Sequence, residues 1–141
     1  MDFDFIFHPM VVHFPIALFI SALGVEVLSL VFKKDAWHQT ALHLYVLATL
    51  TAPFAVMTGL READELQLKH RVLDLHKNFG LLTMGISLVS LAVLWFFSKK
   101  NPAYFRIVFI VVLLLAVGFV SLTGFNGGRL VYEYGVGIAD D

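Results

Sequence analysis

The chain has 141 residues, 59% of them hydrophobic, and a mean hydropathy of +0.82, far more apolar than a soluble domain of this size. Its formal net charge of −1 gives no footing for nucleic-acid binding. The absence of cysteine excludes disulfides, thiolate metal sites, iron–sulfur clusters and covalent c-type haem attachment.

Four segments reach the roughly 20 apolar residues that a spanning helix needs, at about 9–32, 37–60, 75–97 and 107–125. The first opens with His8-Pro9-Met10-Val11-Val12-His13-Phe14-Pro15. Pro9 suits the first turn of a helix, which leaves His8 just outside and His13 about one turn inside. An ionisable ring at that depth is a functional-site hypothesis, against the alternative of an interfacial histidine bonded to a carbonyl. No small-residue cleavage site follows this run, so it reads as a retained membrane helix. Glu26 interrupts it, and His43 and Pro53 interrupt the second. Glu26 and His43 lie at matching depth on adjacent helices, so a Glu26–His43 contact is expected, either a structural hydrogen bond or a proton relay. His38 and His70 fall at helix ends and are expected to be solvated.

The connections are Lys33 to Ala36, Arg61 to Asp74, and Ser98 to Arg106, so successive helices are expected to pack antiparallel. The fold class expected is all-α: one integral membrane up-down four-helix bundle over 1–141, with 126–141 folding back as a cap. Lys33, Lys34, Lys99, Lys100 and Arg106 gather at one end, with Trp37 and Trp95 fitting an aromatic belt there. The positive-inside tendency puts that end in the cytoplasm of a bacterial inner membrane and both termini outside.

His76 opens the third segment on the same outer side as His13. Counting 100° per residue, Gly80, Thr83, Ser87 and Ser90 share its face. Such a stripe also marks plain close packing of membrane helices. Ala17 and Gly24 lie near the His13 direction, and Ser121, Gly124 and Gly128 form a third small stripe. Two imidazoles meeting across a bundle can take both axial positions of a b-type haem iron, with small residues making room. Arg129, Arg61 and Lys77 could meet the propionates. On this reading His13 and His76 are the ligands, with Gly80 beside them and His8 behind. A second reading gives His8, His13 and His76 to a zinc, copper or iron ion, with Asp74, Glu62 or Tyr134 completing the shell. A third is a cofactor-free structural or permeation subunit. No hydrolase, nucleotide or zinc-protease signature is present, so an electron carrier or binding protein is favoured over an enzyme. The partners expected are the lipid bilayer and a redox protein; homo-oligomerisation stays open.

The opening His-Pro-x-x-Val-His-Phe-Pro, Thr58-Gly59-Leu60, His76, and the closing Gly127-Gly128-Arg129-Leu130-Val131-Tyr132-Glu133-Tyr134-Gly135-Val136-Gly137 together resemble one group. It is a family of small bacterial four-helix membrane proteins known as domain of unknown function 2231. The likeness covers nearly the whole chain. It implies a membrane bundle sometimes found beside redox partners, with no settled activity, and His8, His13 and His76 match the family's histidines. The family often closes with Tyr-x-His-Gly-Val-Gly, whereas this chain carries Tyr134 in the histidine's place. The resemblance therefore implies a site of two or three histidines.

Overall fold

A computed structural model describes residues 4–66, 69–99 and 101–137. It contains four helices: α1 (Asp4–Phe32), α2 (Asp35–Leu66), α3 (Arg71–Ser98) and α4 (Pro102–Tyr132). All four are long and apolar enough to span a membrane. α1 packs most closely on α2 and α3 on α4, while α2 against α3 and α1 against α4 are thinner contacts. The bundle is thus two hairpins meeting along a seam, in up-down order.

The helices run longer than the apolar segments. α1 starts at Asp4, so His8 and Pro9 lie inside it; Pro9 is not at its first turn. α2 continues through the polar stretch Arg61 to Leu66, and α4 continues through Gly127, Gly128 and Arg129 to Tyr132. In α2 the extension is carried by good helix formers, Arg61, Glu62, Ala63, Glu65 and Leu66. In α4, Gly127 and Gly128 are poor ones, and packing of the buried Leu130 side chain holds the helix there. The cap predicted over 126–141 therefore shrinks, within the described residues, to 133–137.

Short links set the topology. Lys33 takes a positive φ of 52° between α1 and α2, and the Lys34 N–H returns to the Ser29 carbonyl at 3.2 Å. His70 has extended backbone and caps α3, its Nδ1 accepting from the Val72 N–H at 3.2 Å. It has this structural task rather than being merely solvated. Pro102 opens α4, where its missing N–H costs nothing.

The inward positions follow alternating steps of three and four residues, the period of left-handed helix packing. On α1, Pro15, Phe19, Ala22, Glu26 and Ser29 are buried; on α2, His38, Ala41, Tyr45, Ala48, Ala52 and Ala55. On α3 Val72, Leu73, Thr83, Ser87, Ser90 and Leu94 are buried, and on α4 Phe109, Leu113, Ala116, Val120, Asn126 and Leu130. The interior is rich in alanine and hydroxyls, whereas Leu50, Phe54, Val89, Trp95 and Phe125 lie exposed. Small inward residues let membrane helices approach, and large apolar ones face lipid. Serine and threonine are satisfied locally, as Thr83 donating to the Phe79 carbonyl at 2.8 Å and Ser87 to that of Met84 at 3.0 Å show. At mid-depth Tyr45 is fully buried, edge-on to Phe19 and Phe109 with centroids 5.5 and 5.6 Å away.

The stripe predicted on α3 faces inward. The other two do not: Ala17 and Gly24 on α1, and Ser121 and Gly124 on α4, are exposed.

Candidate functional site

Continuing the inward spacing toward the end opposite the lysines brings up His8 on α1, Gly59 on α2, His76 on α3 and Gly127 on α4. One residue from each helix thus forms a layer. The His8 and His76 rings stand almost perpendicular, at 87°, with centroids 6.2 Å apart across the hairpin seam.

Each ring rests on a glycine. A β-carbon built on Gly59 would lie 2.6 Å from Cε1 of His8, and one on Gly127 3.1 Å from Cε1 of His76. At Gly59 a β-carbon would force the pinned His8 ring to shift, while at Gly127 it would press tightly on the His76 ring.

Hydrogen bonding fixes both tautomers. His76 Nδ1 is 2.9 Å from the Thr123 carbonyl oxygen, which can only accept, so Nδ1 carries the proton. His8 Nδ1 is 2.9 Å from Thr58 Oγ1, whose own proton is given to the Ala55 carbonyl at 2.9 Å. Thr58 therefore accepts, and His8 Nδ1 is protonated too. Both rings carry their lone pair on Nε2, the arrangement by which outer hydrogen bonds orient imidazole ligands.

His13 does not share this layer. It is exposed, with its Nδ1–H turned back to the Pro9 carbonyl of its own helix. Five residues from His8 means about 140° around the helix, so the two rings leave opposite flanks of α1. The expected His13–His76 pair is replaced by His8–His76. Gly80 sits one step inside His76, and its β-carbon would touch Thr123 Cγ2 at 3.7 Å, which makes it a packing position between α3 and α4. Arg61 is exposed and Lys77 half-buried. Arg129 is held by Glu133, with Nε 3.0 Å from each carboxylate oxygen, and that bonding keeps the Glu133 carboxyl below its ordinary range. Asp74 is exposed, and Tyr134 lies against His70 with ring centroids 4.2 Å apart. Among the described residues no three or more histidine, aspartate or glutamate side chains come together as a metal-binding group.

A second polar cluster occupies the lysine end. Glu26, only 1% exposed, accepts from His38 Nδ1 at 2.7 Å and from Arg106 Nε at 3.1 Å. Arg106 also donates to Ser29 Oγ and approaches Asp35 at 3.8 Å. His38 is buried and edge-on to Phe105 and Phe109. The expected Glu26–His43 contact is absent. His43 is exposed and bonds the Gln39 carbonyl at 2.7 Å, while His38, expected in solvent, is the partner.

A family model described as "Predicted membrane protein (DUF2231)" matches residues 5–140. No curated protein and no solved structure matches the chain.

Proposed function

Since the chain belongs to the predicted-membrane-protein family DUF2231, we propose that it is a b-type-cytochrome-like electron carrier of the membrane, with His8 and His76 as the axial pair. The observation that carries this reading is the locked tautomer of both imidazoles. Thr58 and the Thr123 carbonyl hold the two Nδ1–H groups and leave two Nε2 lone pairs, one on each side of the seam. The two rings, with centroids 6.2 Å apart, are the groups that would hold a metal-bearing cofactor. Gly59 and Gly127 give the two rings themselves room between the helices.

Donor number argues for haem over a bare ion. Two protein nitrogens complete an iron whose four equatorial donors come with a macrocycle, whereas zinc wants three or four protein ligands. The described residues offer the two imidazoles without a third His, Asp or Glu gathered to them. Bound there, haem supplies a one-electron couple. The chain's part is to hold both rings on rigid helices and limit their movement when the charge changes. Arg61 and Lys77, near the same end, are the cations available to propionates. We place the lysine end in the cytoplasm of a bacterial inner membrane, which puts the imidazole layer near the outer leaflet, within reach of an external redox partner.

The test is purification in detergent from cells supplied with haem precursor. A Soret band that sharpens on dithionite reduction supports the proposal. A colourless protein that stays colourless on haem titration overturns it. In that case stoichiometric metal would indicate an ion site, and its absence a cofactor-free subunit.

A further inference from the structure

One turn beyond the imidazole layer, toward the water, Ala63, Leu73 and Leu130 continue the inward register. With Val72 they form a separate buried cluster, and Val136 packs on it. The chain reaches that position by a turn at Gly135, which takes a φ of +66°. The Gly135 N–H returns to the Val131 carbonyl at 3.1 Å and the Val136 N–H to that of Leu130 at 3.0 Å, which closes the end of α4. Tyr134 lays its ring on His70, the cap of α3, 4.2 Å between centroids. The segment thus crosses from α4 to the ends of α2 and α3, directly above the layer that holds His8 and His76.

We propose that residues 133–137 are a strap that shuts the aqueous mouth of the imidazole layer, turning on Gly135 and latched by Val136. Beyond the Gly135 pivot the latch is light, one half-buried side chain, Val136; before the pivot Glu133 is tied to Arg129, and Tyr134 rests on His70 while still 42% exposed. Segments held by so little apolar contact open locally far more readily than the helices beneath them. Glycine at the pivot allows the left-handed turn without strain. With the strap closed, Leu73, Leu130 and Val136 keep water off the rings. With it open, a small water-borne ligand of imidazole, or of whatever the imidazoles hold, can enter. This regulation rests on His8 and His76 being the site, but the strap itself can be measured without any cofactor.

The chain has no cysteine, so single-cysteine labelling is clean. Ala63→Cys places a thiol under Val136 with little change in volume, and Arg71→Cys gives an exposed reference nearby. In the detergent-solubilised full chain, a charged membrane-impermeant thiol reagent should label Ala63→Cys at least ten-fold more slowly than Arg71→Cys. Adding Val136→Ser should remove most of that difference and leave the Arg71→Cys rate unchanged. Leu73→Cys repeats the measurement on a second helix. Equal rates at Ala63→Cys with and without Val136→Ser would overturn the strap, as would labelling as fast as the reference in the intact chain. Either result leaves the Soret test unaffected.

Discussion

Arg106 on α4 donates to the buried carboxylate of Glu26 on α1 at 3.1 Å, and this pair fastens the two hairpins at the lysine end. Along their length α1 and α4 touch less than the helices within each hairpin do, and the bond adds to that contact. Inside a bilayer each charge would be costly alone, and together with His38 and Ser29 they satisfy one another.

Glu26→Ala should therefore lower stability by about 3 kcal/mol, the low end for breaking a buried pair, because the Arg106 side chain keeps 28% of its surface exposed. Replacing both partners together, as Glu26→Leu with Arg106→Met, should recover most of that loss. His38→Ala should cost less, about 1–2 kcal/mol, since Glu26 retains Arg106. Unfolding in mixed detergent micelles reads all three, and His43→Ala should lie within about 0.5 kcal/mol of the parent.

Gly59→Ala and Gly127→Ala test the cradle. In a helix free of contacts, alanine gains about 1 kcal/mol over glycine. Here Gly59→Ala meets the His8 ring at 2.6 Å, and Thr58 pins that ring, so a net loss of about 1–3 kcal/mol is expected. Gly127→Ala, at 3.1 Å from His76, should do less. Thermal unfolding of both variants gives the order, and stabilisation by Gly59→Ala would show that the His8 ring is not held where the structure puts it.

At mid-depth Tyr45 donates to Ser90 Oγ at 2.6 Å, since the Ser90 proton is given to the Ser87 carbonyl. Tyr45→Phe should cost about 1 kcal/mol, and a double-mutant cycle with Ser90→Ala should return a coupling near 0.6 kcal/mol, the usual size for hydrogen bonds between membrane helices.

The fold was legible because four apolar runs in a short chain admit few architectures. The site was only partly legible, and the two errors share a cause. His13 and His43 drew attention by their depth, yet depth does not say which face a residue occupies. His8 and His38, each five residues earlier, sit about 140° away around their helices, on the faces that turn inward. The register was available in Glu26. Steps of three and four from that carboxylate reach Phe19, Pro15 and then His8, and on α2 the same steps join His38 to Tyr45 and Gly59. The small stripe on α3 faces inward, while Ser121 on α4 carries its hydroxyl outward, so a small polar side chain does not by itself mark the inner face. The similar stripes put Ala17 and Gly24 of α1 and Ser121 and Gly124 of α4 outward, where small size says nothing about direction. Thr58 stands out in the sequence only as part of the Thr58-Gly59-Leu60 motif; its bond to His8, and that of the Thr123 carbonyl to His76, could not be found without coordinates.

The Arg129–Glu133 bridge gives a pH signature at the imidazole end. Hydrogen bonding from Arg129 lowers the folded-state value of the Glu133 carboxyl. Its contribution is therefore present above the ordinary glutamate value of about 4.3 and is lost as pH falls through the lower folded value. Both groups are solvated, so the effect should be small. The parent and Glu133→Gln should differ slightly in melting temperature at pH 6 and converge in strong acid.

The central claim is that His8, rather than His13, faces His76. Its most direct test is the visible spectrum of haem-reconstituted His8→Ala, His76→Ala and His13→Ala, with circular dichroism confirming that each remains helical. The expected result is loss of the Soret band in the first two and its retention in the third. Retention in His8→Ala with loss in His13→Ala would contradict the account.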